Sequence, residues 1–321
     1  MKKSWLLIIC TMWTVTLLSA CQPSNEQGIL LTEDPIYSAS LSDDATLAVI
    51  STANNGVQLW DLTKGKVRYQ WLQGKDANTV VDVALSPNKQ FAASLSQDSV
   101  ALWKISDGSS HGAWSLPSWG QAVAVADNGA LLIGLRDGSV MSLAAGQQRL
   151  IQFLGHSEKV NSVAISADGK VALSGSNDNQ VILWQAQTGQ PLQTWTLASR
   201  VVKVALSDNG HLSFASDSTD DARIWDNAQG SQLSKLRIFR RTMNFTTARF
   251  VEQDTQLITG TPAREILLWQ LKDGKKIANW QAQLTKNAQI KGAVVYSVAN
   301  HDQQIISISS NGLLEHFAVT H

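Results

Sequence analysis

The chain has 321 residues, of which 44% are apolar and 16% charged, and its 26 basic and 26 acidic side chains cancel. That apolar share can build a sizeable core and excludes a chain disordered throughout, while balanced charge excludes the basic excess a nucleic-acid binder needs. Length alone leaves one large domain or two medium ones open.

The N-terminus opens with Lys2 and Lys3, followed by an uncharged apolar run from Trp5 to Leu18. A basic head before such a run has the pattern of a secretory signal, and the run falls short of the roughly 20 residues a membrane span needs. It closes in Leu18-Ser19-Ala20-Cys21, which resembles the bacterial lipoprotein signal. The resemblance implies removal of residues 1–20, acylation of the Cys21 thiol with palmitate-type chains, and anchoring of the mature protein to a membrane. Gln22 stands where Asp would retain such a protein in the inner membrane, so the expected address is the periplasmic leaflet of the outer membrane. Residues 21–27 are polar and read as a tether. Cys10 leaves with the signal, so the mature chain has no second thiol for a disulfide, and the loss of Lys2 and Lys3 takes its charge to −2.

From residue 28 to 321 the chain is periodic. Trp60, Trp103, Trp184, Trp225 and Trp269 close short apolar runs at intervals of 43, 81, 41 and 44 residues, and the midpoint of the long interval falls near Leu143. A second series follows eleven residues later at Trp71, Trp114, Trp195 and Trp280, with Leu236 in the same register and Phe153 one residue short of it. Each unit alternates apolar and polar residues between turns rich in Asp, Asn and Gly, which predicts four short strands per repeat. Repeats of roughly 40–45 residues with four strands fit the blades of a β-propeller. Unit starts fall near Tyr37, Val81, Ala122, Val160, Val201, Thr246 and Val294, which makes seven. The last unit stops after its third strand, and the segment Gly28–Glu33 has the pattern to supply the fourth.

The unit from Val160 to Trp195 resembles the WD40 repeat, with Gly155-His156 before its first strand, and Trp-Asp pairs close strands at Trp60-Asp61 and Trp225-Asp226. The resemblance implies an all-β, seven-bladed propeller closed by its N-terminal strand. It also implies a structural network of His156, Ser174, Asp178 and Trp184 inside one blade, a constellation that mimics a catalytic triad only in residue type. In the other blades the set is broken, so packing of Trp and aliphatic side chains is expected to hold them.

In WD40 propellers partners most often meet the face that bears the connections between blades and between second and third strands. Here that face is expected to carry Lys75, Trp119, Arg136, Lys159, Arg200, Phe239, Arg240, Arg241, Met243 and Arg264. Aromatic and Arg side chains are the usual anchors of interfaces. The six histidines show no metal-ligand spacing, no cofactor motif is present, and Asp217, Asp220 and Asp221 could either hold calcium or cap a turn. The expected function is a non-enzymatic protein-binding scaffold. The alternative is a propeller enzyme of hydrolase, lactonase or dehydrogenase type, working at a central channel where Asp82, Lys203 and Arg249 are the only charges on the inner strands.

Overall fold

Every repeat becomes one four-stranded antiparallel sheet, and seven such blades stand around an axis. The computed structural model describes residues 27–73, 80–240, 243–285 and 292–319, and those residues contain no helix. The innermost strands are Ile36–Leu41, Val80–Leu85, Gly120–Val125, Val160–Ile165, Val201–Leu206, Thr247–Val251 and Val295–His301. Each lies against the innermost strand of the next blade, and that of blade 7 lies against that of blade 1, which closes the ring.

Closure is completed by the chain's own start. Gln27–Leu30 pairs antiparallel with Leu313–Ala318, matching Gln27 with His316 and Leu30 with Leu313, so an N-terminal strand is the fourth strand of blade 7. Without it, Leu313–Ala318 would present an open edge of unpaired backbone groups.

The hydrophobic core lies between blades rather than within them. Seven clusters of buried side chains each join two neighbouring blades, so every sheet is covered on both faces. The second strands are accordingly buried along almost their whole length, as in Leu47–Thr52 and Leu131–Leu135. Such close packing limits side-chain size: a Cβ added to Gly175 would lie 2.5 Å from Cγ1 of Val201 in the next blade.

The two tryptophan registers have a physical origin in this packing. Trp71 on the outer strand of blade 1 stacks on Trp103 in blade 2 at 5.1 Å, and Trp195 of blade 4 stacks on Trp225 of blade 5 at 4.8 Å. The outer indoles also donate across the gap, Trp71 Nε1 to the Gly108 carbonyl and Trp195 Nε1 to that of Gly230. At these junctions one register therefore docks a blade onto the other register of its neighbour, and Phe153 against Trp184 and Trp280 against Phe317 repeat the arrangement.

A bulge separates the first and third residues of six inner strands, blade 6 being the exception. It turns the third residue toward the following blade, where Ser38 Oγ accepts from the Val83 amide and Ser162 Oγ from the Val204 amide. Antiparallel order gives the ring two unlike faces. The connections between blades and between second and third strands lie on one, here called the loop face. The tight turns between first and second and between third and fourth strands lie on the other, the turn face.

Candidate functional site

The polar network of blade 4 draws on four segments. Asp178 sits in the turn before the third strand, Ser174 on the second, Trp184 on the third, and His156 in the connection arriving from blade 3. His156 Nδ1 lies 3.1 Å from Asp178 Oδ2, its Nε2 lies 2.8 Å from Ser174 Oγ, and Ser174 Oγ accepts from Trp184 Nε1 at 2.8 Å. Burial pushes the imidazole below its ordinary range although the Asp178 carboxylate opposes the shift, so His156 is neutral at pH 7. Its Nδ1–H then donates to Asp178, and its Nε2 accepts the Ser174 hydroxyl. The Asp178 carboxylate also receives the amides of Ser157 and Gln180. Ser174 has no exposed surface, so the hydroxyl that would be the nucleophile of a triad faces only protein atoms.

Two other blades keep a version of this set that a search for His misses. In blade 2, Gln73 replaces the histidine: Ser94 Oγ donates to Gln73 Oε1 and accepts from Trp103 Nε1. In blade 6, Thr259 takes the indole N–H of Trp269 at 2.9 Å. The expectation that packing alone holds the other blades is therefore corrected for these two.

A family model described as "WD domain, G-beta repeat" matches residues 147–185, which span this network. The chain is an all-β seven-bladed propeller that carries a WD40 repeat. No curated protein matches the chain. The WD40 match covers one repeat, and the remaining blades share its four-stranded sheet order.

On the loop face of the propeller Trp119 is 50% exposed, with the Arg136 guanidinium 4.6 Å above its ring. Phe239 is 97% exposed, and the neighbouring Arg240 pairs with Glu265. Arg200 is exposed and Lys159 half-buried. Met243 lies half-buried against the core between blades 5 and 6, and Arg264 spends Nη1 on the Ala282 carbonyl, so both serve the ring itself. Cys21, Lys75 and Arg241 lie outside the described residues.

The axial channel has a volume of about 490 Å³. The three charges assigned to it do different work. Asp82 is a stitch between blades: its carboxylate accepts from Ser38 Oγ, from its own neighbour Val83 N, and from Val123 N at 2.9 Å in blade 3. Burial pushes this carboxyl up, and the Ser38 and Val123 hydrogen bonds and the Lys203 charge work against that. Lys203 is pushed down by burial, with Asp82 opposing. Arg249 turns to the turn-face mouth, where it pairs with Asp43 at 2.9 Å and donates to the Leu41 carbonyl. Asp208 stands at the same mouth, and burial together with the nearby Asp43 carboxylate pushes it up to about 6.

Around Asp217, one oxygen of Asp217 and the carboxylate of Asp221 are engaged by the protein. Asp217 Oδ1 caps its own turn through the amides of Thr219 and Asp221, and Asp221 is paired with both Arg223 and Lys235. Among the described residues no group of three acidic, His or Cys side chains is placed to hold a metal ion. The turn-capping alternative is the one this geometry supports.

Proposed function

We propose that this propeller is a non-enzymatic periplasmic lipoprotein, anchored through Cys21, that holds protein partners on its loop face. WD40 propellers are commonly scaffolds of this kind. The observation that carries the reading is an asymmetry between the faces. Tyr37, Leu72, Val81, Trp119, Leu154, Phe239 and Leu284 are large apolar side chains left exposed, and all sit on or beside loop-face connections. Aliphatic side chains are exposed beside the turns of the opposite face too, at Val67, Ile151, Leu192, Leu233 and Ile277, but among the described residues the exposed large aromatics, Tyr37, Trp119 and Phe239, all lie at the loop face. Exposed aromatic side chains gathered on one side of a ring mark an interaction surface. The separation of Asp82 from Arg249, each engaged elsewhere, supports docking over catalysis at the channel.

Photo-crosslinking residues placed at Trp119 and Phe239 in the cell should capture proteins that the same residues at Asp168 and Gln187, on the turn face, do not. Identical captured sets from both faces reject the loop face as the docking surface. Incorporation of labelled palmitate, abolished by Cys21→Ser, tests the anchor separately.

A further inference from the structure

The turn face carries a groove of about 710 Å³ between blades 1 and 2, distinct from the channel. Its floor is apolar, formed by Leu47, Phe91 and Ile105; Leu47 and Ile105 belong to the core between these blades, and Phe91 borders the one between blades 2 and 3. Three cations, Arg68, Lys89 and Lys104, and one carboxylate, Asp61, which pairs with Lys64 at 3.3 Å, stand around that floor. Arg68 is braced by a hydrogen bond from Nη2 to the Ser106 carbonyl, and Lys89 pairs with Asp44 and lies 3.3 Å from Thr46 Oγ1. The Lys104 side chain is exposed, and its charge helps the Ser109 hydrogen bonds hold the nearby Asp107 carboxyl below its ordinary range. At the channel mouth on the same face the balance is acidic, with Asp43, Asp208, Glu252 and Asp254 around Arg249.

The position of the groove adds a second argument. Gln27 pairs near the turn-face end of Leu313–Ala318, so the chain enters the ring from the turn face at blade 7, and blade 7 adjoins blade 1. Six residue steps separate Cys21 from Gln27, a reach of at most about 20 Å. An anchored ring therefore brings the turn face of blades 7, 1 and 2 within reach of the bilayer surface. A basic rim around an apolar floor suits one kind of group on that surface, a phosphate diester carrying acyl chains.

We propose that the groove between blades 1 and 2 binds the headgroup of an anionic phospholipid, with Arg68 and Lys104 on the phosphate and the floor of Leu47, Phe91 and Ile105 against the first carbons of its acyl chains. Its orientation argument rests on the anchored reading, whereas the groove and its charges do not depend on it.

The test uses the unacylated chain from Gln22 onward, which keeps all the strands of the ring. It should co-sediment with vesicles of phosphatidylcholine plus phosphatidylglycerol and stay in solution with phosphatidylcholine alone. Arg68→Gln with Lys104→Gln should weaken this binding roughly twentyfold or more, from the contribution of two cations at an anionic surface. Lys170→Gln with Lys275→Gln, which removes two cations from other blades of the same face, should weaken it less than threefold. Both double variants alter exposed side chains, and melting temperatures equal to the parent's establish that each is folded. Equal losses in the two variants, no preference for phosphatidylglycerol, or displacement by free glycerol phosphate at the same concentration as lipid would each overturn the site. Because this chain is not acylated, failure here leaves palmitate labelling of Cys21 as a separate result.

Discussion

Ser174→Ala measures what the blade 4 network contributes. The substitution removes one oxygen and leaves two buried groups without partners: the indole N–H of Trp184, a residue 1% exposed, and Nε2 of His156, whose side chain is wholly buried. Each orphaned group costs about 1–3 kcal/mol, so the variant should lose about 2–4 kcal/mol, a large share of the ~5–15 kcal/mol that stabilises a typical fold. Ser94→Ala in blade 2 is the internal comparison, because the Trp103 it bonds is only half-buried and water can replace some of the lost bond, which limits the loss to about 1–2 kcal/mol. Urea unfolding followed by tryptophan fluorescence reads both values, provided the slope of stability against denaturant stays that of the parent. A loss below about 1 kcal/mol for Ser174→Ala, or a larger loss for Ser94→Ala, would refute the claim that a closed polar network stabilises this blade.

The remaining expectations concern pH and ring closure. Burial lowers the His156 pKa, so the unfolded chain binds the proton more tightly; the stability contributed by the neutral ring is present above pH 6.5 and is lost as pH falls below it, a slope that His156→Gln should flatten in urea midpoints taken across that window. Asp208 has the opposite sign, because a carboxyl raised from 3.8 to about 6 favours folding fully below 3.8 and loses that contribution as pH rises through 6. Asp208→Asn should therefore stabilise the ring at pH 7.5 and not at pH 4. A chain starting at Leu31 lacks Gln27–Leu30, and its Leu313–Ala318 amides should lose hydrogen-exchange protection before those of blade 4; equal protection in both blades would show that the strand is dispensable.

The blade count is legible because most third strands end in a large aromatic that must fill the gap to the next blade, and tryptophan is conspicuous in sequence. The closing strand is legible from a final repeat lacking its fourth strand, although it begins at Gln27, one residue before the expected Gly28, and pairs only to Leu30. What the residues conceal depends on the inner-strand bulge. Asp82 reads as a stray charge, and only the rotation caused by the bulge aims it at Val123 N in the next blade. Gln73 escapes notice for a chemical reason: an amide oxygen accepts a serine hydroxyl as well as a histidine nitrogen does, with no shared sequence pattern. Met243 reads as surface beside two arginines, but the long connection between blades 5 and 6 turns it onto the core next to Ile238.

The closing strand also sets how the ring would carry load. Gln27–Leu30 runs from the turn face toward the loop face, and its pairing partner, Leu313–Ala318, runs the opposite way. Tension on the N-terminus directed along the strand and away from the turn face loads the four matched residue pairs together, in shear. Force applied sideways, outward from the rim, would instead peel the same pairs singly, beginning at Gln27. Tension along the strand is thus met in the direction its pairing resists best, and blade 7 is the clasp.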